Sequence, residues 1–333
     1  MTHRQYPIGS GFSAAATADD VLAGINLAGR NAIVTGGHAG IGLEVTRALA
    51  KAGALVAVAA RDPDRATRSL EGIQHVEVGQ LDLIDPASID TFVARWCETG
   101  RPLNMLINCA GVTPSKKRIQ DARGYEMQFA TNHLGHFQLT LGLLPALRAA
   151  NGARVVNVSS GAQRFSDIHW DDPHFTEAYN SSQAYAQSKT ANVLFAVELD
   201  RRWSGDGVHG YAVHPGVVVG TVLNNSAGEE AQRAMGLIDE AGRPIIDPEN
   251  GKKTPQQGAS TIVFAATSPL LDGIGGVYLL DNDISPLDDE PRQMSAVRPP
   301  AEITSHAIDP HSARRLWTMS EQMLATSGAE AAE

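Results

Sequence analysis

The chain has 333 residues, of which 43% are hydrophobic, and a formal net charge of -10 at pH 7. This length suffices for a large α/β core, and the negative charge disfavours nucleic acid and anionic membrane surfaces as partners. Its two cysteines, Cys97 and Cys109, lack metal-ligand spacing, which argues against a zinc site and a disulfide framework. The first residues lack the apolar core of a secretory signal, and no apolar run reaches the ~18 residues of a membrane span. We therefore expect a cytoplasmic protein that does not associate with a membrane.

Strands and helices are predicted to alternate along most of the chain. An α/β fold with a Rossmann-type doubly wound parallel sheet explains this alternation, because parallel strands need crossovers and those are usually helical. We expect one such domain over 31–285, with an N-terminal extension over 1–30 and a C-terminal extension over 286–333. The predicted strands are Asn31–Thr35, Leu55–Ala60, His75–Leu81, Met105–Asn108, Arg154–Ser159, Gly210–His214 and Gly276–Leu280. The predicted helices are Ile41–Ala52, Ser88–Cys97, Tyr125–Leu147, Ala184–Trp203 and Ser312–Thr326.

Two connections of this domain, 161–182 and 220–254, are longer than the usual half-dozen residues. Long connections in compact domains are commonly functional, so both are candidate walls of a substrate site. Their apolar and aromatic side chains would suit a bulky lipophilic or aromatic substrate, and they would equally serve to pack the loops against the domain. These side chains are Phe165, His169, Trp170, His174, Phe175, Tyr179, Leu223, Met235, Leu237 and Ile238.

A glycine-rich turn follows the first predicted strand. The segment Thr35-Gly36-Gly37-His38-Ala39-Gly40-Ile41-Gly42 lies between that strand and the next helix, with the spacing Gly-x-x-x-Gly-x-Gly. Glycines let the backbone approach phosphates closely, and the free amides and dipole of the helix stabilise their charge. The turn therefore predicts the pyrophosphate site of a dinucleotide.

A tyrosine and a lysine, Tyr185 and Lys189, lie four residues apart on a predicted helix. Four residues are just over one helical turn, so both side chains emerge on the same face. A tyrosine with its usual pKa of ~10 is a poor acid or base at neutral pH unless a nearby cation stabilises its phenolate. A tyrosine and a lysine at this spacing are common on solvated helices. The pair indicates a catalytic site only together with the motifs around it.

Five motifs follow the glycine turn in a fixed order. With the turn, they resemble the short-chain dehydrogenase/reductase family across roughly residues 30–285, and within it most resemble the retinol-dehydrogenase-like branch and its soluble bacterial relatives. The motifs are Asn108-Cys109-Ala110-Gly111, Asn132-His133-Leu134-Gly135-His136-Phe137, Ser159-Ser160, Tyr185 with Lys189, and His214-Pro215-Gly216. The branch is indicated by the second of these, by 191–195 and by Gly276-Val277-Tyr278.

The resemblance implies a catalytic set of four residues. Tyr185 is expected to donate a proton in carbonyl reduction and to accept one in alcohol oxidation, with Lys189 lowering its pKa and binding the nicotinamide ribose. Ser160, rather than its neighbour Ser159, is expected to hydrogen-bond the substrate oxygen. Asn132 is expected to complete a water-linked proton relay.

The resemblance also implies a cofactor site. Cys109 departs from the more frequent asparagine of the family, and one extra residue precedes Thr221. No metal is predicted, because His133 and His136 have no evident third ligand. The expected cofactor residues are Gly36, His38, Gly40, Ile41, Gly42, Arg61, Asp82, Leu83, Asn108, Ala110, Gly111, Tyr185, Lys189, Pro215, Gly216, Val218 and Thr221.

The end of the second strand favours NADP over NAD. An acidic side chain there accepts hydrogen bonds from a free ribose hydroxyl and repels a 2′-phosphate. This chain has Ala59-Ala60-Arg61 at that point, and an arginine pairs well with a phosphate. The adjacent Asp62 works against this prediction.

We therefore expect an NADP-dependent enzyme that interconverts a small-molecule alcohol with a ketone or aldehyde. Reduction of a carbon-carbon double bond and a non-catalytic nucleotide-sensing module are the alternatives, and the complete catalytic set disfavours the second. A homodimer or homotetramer is possible by resemblance, and the extensions would block or reinforce such contacts.

Overall fold

The computed structural model describes residues 5–112, 115, 117–221, 228–293 and 295–329. Its main sheet has eight strands in the order β10-β9-β6-β5-β4-β1-β2-β3, and all neighbouring pairs are parallel except β9 and β10. The order runs outward in both directions from β1, which confirms the predicted doubly wound Rossmann-type sheet. The carboxyl ends of the parallel strands therefore share one edge.

The strands and helices have the following bounds. The strands of the main sheet are β1 (Asn31–Thr35), β2 (Leu55–Ala60), β3 (Val76–Gln80), β4 (Met105–Asn108), β5 (Ala153–Val158), β6 (Val208–His214), β9 (Val277–Leu280) and β10 (Asp283–Ile284), and β7 (Val217–Val218) pairs with β8 (Lys252–Lys253). The α-helices described are α1 (Ala18–Val21), α2 (Gly40–Lys51), α3 (Pro63–Ser69), α4 (Pro86–Glu98), α5 (Met127–Phe129), α6 (Gly135–Gly142), α7 (Leu144–Ala149), α8 (Ser181–Trp203), α9 (Glu229–Ala234), α10 (Pro255–Thr267) and α11 (Pro310–Ala329).

The helix predicted over Tyr125–Leu147 is wrong as one continuous helix. The structure has α5, a π-helical segment over Ala130–Leu134, then α6 and α7. Glu126 caps the start of α5 by accepting a hydrogen bond from the Phe129 amide. Pro145 lies in the first turn of α7, where its missing N–H costs no helical hydrogen bond. The π segment carries Asn132, and π-bulges frequently mark functional sites.

Helix α8 carries the tyrosine and lysine pair and is largely buried. Asn180 caps it by accepting hydrogen bonds from the amides of Ser182 and Gln183, each 3.1 Å long. A residue with a side-chain oxygen at this position stabilises a helix by about 1 kcal/mol relative to alanine. The cap sets where α8 begins and hence which face Tyr185 and Lys189 present.

The N-terminal extension packs against the sheet through the described residues from Gln5 onward. The buried Gln5 amide donates to the carbonyls of Tyr278 and Ser285 and accepts from the Tyr278 amide, so it continues the hydrogen bonding of β9. Asp283 accepts hydrogen bonds from the backbone amides of 8–10. These contacts hold the extension at the edge of the sheet.

The C-terminal helix α11 packs against α6 and α8. Its Trp317 is 2% exposed and makes edge contacts with Phe137 and Trp203 and a tilted contact with Phe195. The apolar face that α6 and α8 share is therefore covered by the chain itself.

An ion pair between a buried lysine and a partly exposed aspartate joins β8 to the β9–β10 turn. The Lys253 side chain is 0% exposed, and its Nζ lies 2.5 Å from Asp281 Oδ1. Removing one partner of a buried pair leaves an uncompensated charge, which costs more than the pair contributes. Asp281 has φ 51, a backbone conformation that asparagine tolerates.

Asp281→Asn is therefore expected to lower the free energy of unfolding by about 3 kcal/mol, because it strands the Lys253 ammonium in the interior. The double variant Asp281→Asn with Lys253→Met is expected to recover much of that loss. Urea unfolding of both variants measures this. A single variant as stable as the parent chain contradicts the assignment.

Candidate active site

The glycine turn leaves β1 and enters α2 with its backbone closely packed. Gly36 and Gly40 have φ 66 and φ 52, which side chains rarely adopt. A Cβ at Gly37 would lie 2.6 Å from Thr46 Oγ1, and one at Gly42 would lie 2.6 Å from the Gly36 carbonyl oxygen. Only glycines allow this turn to lie so close to α2.

No N-cap side chain accepts a hydrogen bond from the backbone amides in the first turn of α2. Its N-cap residue, Ala39, has no side chain that can accept a hydrogen bond from the helix amides. Helix dipole and free amides together favour an anion at this point. The conformation of the turn and the donors of the helix thus fit the pyrophosphate of a dinucleotide. Ile41 lies half-buried in this turn.

The residues at the end of β2 lie beside His38. The Asp62 carboxylate accepts a hydrogen bond from the Arg65 amide and caps α3, so it is occupied in a structural role. Arg61 and Arg65 are exposed. Burial, and secondly the Arg65 charge, lower the pKa of His38. Arg65 therefore lies close to His38 and supplies a second cation that the sequence patterns did not single out.

The other predicted cofactor residues follow β3 and β4. Asp82 is half-buried and accepts a hydrogen bond from the Ile84 amide, and Leu83 is buried. The Asn108 side chain points into the core, where its amide donates to Thr140 Oγ1 and Asn157 Oδ1. Asn108 thus supports the loop that carries Ala110 and Gly111 by bonding beneath it.

The segment after β6 lies beside the glycine turn. Gly216 has φ 83, and a Cβ there would lie 2.9 Å from Lys253 Cδ. Thr221 is buried, and its Cγ2 lies 3.8 Å from the Cβ position of Gly40. Pro215 and Val218 are buried between these residues. The structure thus brings Thr221 to the glycine turn.

The four predicted catalytic residues lie together at the ends of β4 and β5. Lys189 Nζ lies 5.5 Å from the centre of the Tyr185 ring and donates to the Val158 carbonyl at 3.1 Å. The Ser160 hydroxyl lies near enough to the Tyr185 hydroxyl to lower the pKa of Tyr185. A Cβ at Gly111 would lie 3.2 Å from Asn132 Oδ1 and 3.8 Å from Lys189 Nζ, so this loop brings Asn132 and Lys189 together.

The two serines after β5 have different partners. Ser159 is buried, and its hydroxyl donates to the Lys189 carbonyl at 2.7 Å. Ser160 is half-buried and faces Tyr185. Ser188 was not singled out from the sequence: it accepts from the Asn132 amide at 3.0 Å and donates to the Tyr185 carbonyl at 2.8 Å.

Burial is the largest influence on the pKa values of Tyr185 and Lys189. It lowers the pKa of Lys189 to about 8, so the ammonium loses its proton more readily than a solvated lysine. Burial also raises the pKa of Tyr185, and the nearby Ser160 hydroxyl opposes that rise. In the protein alone, the pKa of Tyr185 thus moves opposite to the direction expected from Lys189, because desolvation of the phenolate is the larger effect.

His133 does not approach a site for a metal. Its Nε2 lies 2.8 Å from Ser320 Oγ in α11, and its ring packs among Phe129, Phe137 and Phe195. No group of three potential metal ligands is found among the described residues.

Most aromatic side chains of 161–182 pack this loop against the protein. His174 stacks on Tyr125 at 4.7 Å, and Arg315 of α11 lies 4.2 Å above the Trp170 ring. Phe175 contacts the rings of His169 and Tyr179. In the second loop Leu237 and Ile238 are buried, and Leu223 lies outside the described residues. Among these candidate wall residues, Phe165 and Met235 remain exposed in the described structure, at 38% and 47%.

The fold and this site define a nicotinamide-dependent oxidoreductase that acts on small molecules. They combine a doubly wound sheet, a glycine turn at the start of a helix, and a tyrosine, lysine, serine and asparagine set at the same edge. The model of the family described as short chain dehydrogenase matches residues 30–232. The chain belongs to this family.

Similar proteins agree with this assignment. A "Probable oxidoreductase" of Streptomyces lividans is 42% identical over 300 residues, covering 88% of this chain and 97% of that protein. Human "Retinol dehydrogenase 11" is 35% identical over 308 residues, covering 90% and 87%. A solved structure of a putative uncharacterized protein from Mycobacterium Paratuberculosis has a TM-score of 0.68 at 28% identity, covering 93% and 97%.

Among the described residues, no helix has the length and apolar character needed to cross a membrane. The cytoplasmic location stays a prediction.

Proposed function

We propose that this protein is an NADP-dependent oxidoreductase that interconverts a lipophilic or aromatic alcohol with its ketone or aldehyde, with Tyr185 as the general acid and base. The observation that carries this proposal is the proximity of Ser160 and of the buried Lys189 to Tyr185. A substrate oxygen that bonds both hydroxyls is polarised and is within reach of a proton donor.

Each catalytic residue has a distinct task in this proposal. Ser160 orients the substrate oxygen, and Tyr185 gives it a proton during reduction or removes one during oxidation. Lys189 stabilises the phenolate that Tyr185 becomes after donating its proton, and Asn132 connects the site to a proton relay. When bound, the nicotinamide supplies or accepts the hydride at the carbon that bears this oxygen.

The preference for NADP is supported by the end of β2. Arg61 and Arg65 supply two exposed cations, and the carboxylate of Asp62 is turned to the start of α3. A guanidinium is suited to a phosphate because it presents several N–H donors in one plane. The ribose 2′-phosphate of NADP would lie against these arginines and His38.

Replacing Arg61 and Arg65 together with alanine is therefore expected to raise KM for NADPH roughly tenfold to a hundredfold, as expected for lost charge-assisted hydrogen bonds. KM for NADH is expected to stay within about twofold, because NADH has no 2′-phosphate. Arg68→Ala is the matched control, since Arg68 lies in the last turn of the same helix. Steady-state kinetics with both cofactors measure this, and a parent chain that prefers NAD contradicts the proposal.

The proposed substrate class is supported by the relatives and by two exposed apolar side chains. One relative is named a retinol dehydrogenase, and retinol is a lipophilic primary alcohol. Phe165 and Met235 are exposed apolar side chains on the two loops predicted to form the walls. NADPH oxidation against lipophilic ketones, aldehydes and enones, with products identified, tests the class: turnover of enones alone favours double-bond reduction, and binding of NADPH with no turnover favours nucleotide sensing.

The homodimer or homotetramer stays a prediction. A contact between copies through α6 and α8 would require α11 to move, because Trp317 covers the face that these helices share.

A further inference from the structure

His136 lies outside the catalytic set, yet it touches two segments of the site. It follows the π segment by two residues and is 1% exposed. Its Nδ1 lies 3.0 Å from the Asn132 carbonyl oxygen, and its Nε2 lies 2.9 Å from Thr35 Oγ1. Both ring nitrogens are therefore used inside the protein, one toward the catalytic asparagine and one toward the glycine turn.

The partners of the ring fix its tautomer. A carbonyl oxygen only accepts hydrogen bonds, so Nδ1 must carry the proton that bonds the Asn132 carbonyl. Full burial disfavours the imidazolium, and a neutral ring then leaves Nε2 as an acceptor. Thr35 Oγ1 must consequently donate to Nε2.

The threonine hydroxyl is saturated by this arrangement. Thr35 Oγ1 accepts from the amide of Cys109 at 2.9 Å and from the amide of Ala110 at 3.0 Å, and its one proton goes to His136. The other acceptor near this hydroxyl, the Ile107 carbonyl, is farther away at 3.4 Å. The hydrogen bonds thus follow one direction. The amides of Cys109 and Ala110 donate to Thr35, Thr35 donates to His136 Nε2, and His136 Nδ1 donates to the Asn132 carbonyl.

Asn132 is held at its other end as well. Its Oδ1 accepts from the Val112 amide at 3.0 Å, and its Nδ2 donates to Ser188 Oγ at 3.0 Å. The Asn132 side chain therefore joins the loop after β4 to α8. The Asn132 carbonyl is connected to the same loop by the hydrogen bonds of His136 and Thr35.

We propose that His136 is a positioning residue for the oxidoreductase reaction: as the neutral tautomer protonated at Nδ1, it fixes the carbonyl of Asn132 relative to the Thr35, Cys109 and Ala110 backbone that forms the floor of the cofactor site. The inference rests on the proposed function for its effect on turnover. Its effects on cofactor affinity and on the tautomer do not depend on turnover.

Two amide substitutions separate the two hydrogen bonds. In His136→Asn the amide nitrogen takes the place of Nδ1, so the bond to Asn132 is kept and the bond to Thr35 is lost. In His136→Gln the amide oxygen reaches toward the place of Nε2, so the bond to Thr35 is kept and the bond to Asn132 is lost. His136→Phe loses both, and Thr35→Val removes the hydroxyl.

The Asn variant is expected to weaken NADPH binding roughly tenfold with a smaller change in kcat, and the Gln variant to lower kcat roughly tenfold with nearly unchanged NADPH affinity. The Phe variant is expected to lose both, and adding Thr35→Val to it is expected to weaken NADPH binding further, because the hydroxyl also accepts from the Cys109 and Ala110 amides. Asn and Gln variants that are indistinguishable in both NADPH Kd and kcat overturn the proposal, since a merely structural residue gives no such split.

The tautomer provides a test without substrate. Nitrogen NMR of protein labelled with 15N-histidine, with the His136 signals assigned by their loss in the Gln variant, is expected to show a neutral ring protonated at Nδ1 at pH 7. A ring protonated at Nε2, or an imidazolium, overturns the proposal. If the proposed function fails and no substrate turns over, the NADPH affinities and the NMR signals still decide the role of His136.

Discussion

Tyr185→Phe is expected to lower kcat by roughly a thousandfold, within the range usually lost with a positioned acid or base. The phenyl ring keeps the packing of α8, and only the hydroxyl near Ser160 is removed. NADPH affinity is expected to change little, because the glycine turn, α2 and Lys189 are untouched. Stopped-flow turnover and equilibrium binding of NADPH measure the two effects.

Tyr211→Phe is the matched control for this substitution. Tyr211 is 0% exposed in β6, and its hydroxyl makes only a long bond of 3.4 Å to the Leu271 carbonyl. We expect turnover within about twofold of the parent chain and a stability loss of about 1 kcal/mol. Retained activity in Tyr185→Phe would remove Tyr185 from its proposed role.

A steep loss of stability below pH 6.5 is the second large effect that we expect. Burial is the main cause that lowers the pKa of four histidines: to about 3 for His133 and to about 4 for His136, His174 and His214. In the unfolded chain each of these rings binds a proton near pH ~6.5. Between the folded-state pKa values and the unfolded-state pKa of ~6.5, unfolding therefore takes up as many as four protons. The folded state loses stability as the pH falls through this range.

The stabilisation by these neutral rings is complete above pH ~6.5 and is lost toward pH 4, at about 1.4 kcal/mol per pH unit for each ring. Urea unfolding at half-unit steps from pH 7.5 to 4.5 measures the slope. His133→Phe, which places another apolar ring among Phe129, Phe137 and Phe195, is expected to reduce the uptake by about one proton. A total uptake of one proton or fewer would show that these rings are charged or exposed in the folded state.

The sequence predicted the sheet because the sheet depends on local patterns, whereas the resemblance implied the catalytic set, whose four members lie together in the structure and whose roles stay a prediction. Apolar runs such as Met105–Asn108 identify buried strands, and the phosphate turn follows from glycine spacing and helix position. The spacing of Tyr185 and Lys189 depends only on helical geometry. Such features need no knowledge of what packs against them.

The features that the sequence did not predict depend on tertiary contacts. The π segment around Asn132 interrupts a stretch whose hydrophobic pattern is that of one helix. The position of Asp62 next to Arg61 does not reveal that its carboxylate caps α3; a proline directly after the aspartate is the signal that could have identified this cap. His136 gained a role only when Thr35 and Asn132 were found on either side of its ring.

The central claim is that this site transfers hydride to a carbonyl carbon while Tyr185 protonates the oxygen. The most direct test incubates the protein with NADPH deuterated at the nicotinamide C4 and a lipophilic ketone or aldehyde that it turns over, and locates the label by mass spectrometry and NMR. We predict one deuterium on the carbon that bears the new hydroxyl group, and no such product with Tyr185→Phe. Deuterium on a former alkene carbon, or labelled alcohol formed equally by the Phe variant, would contradict the claim.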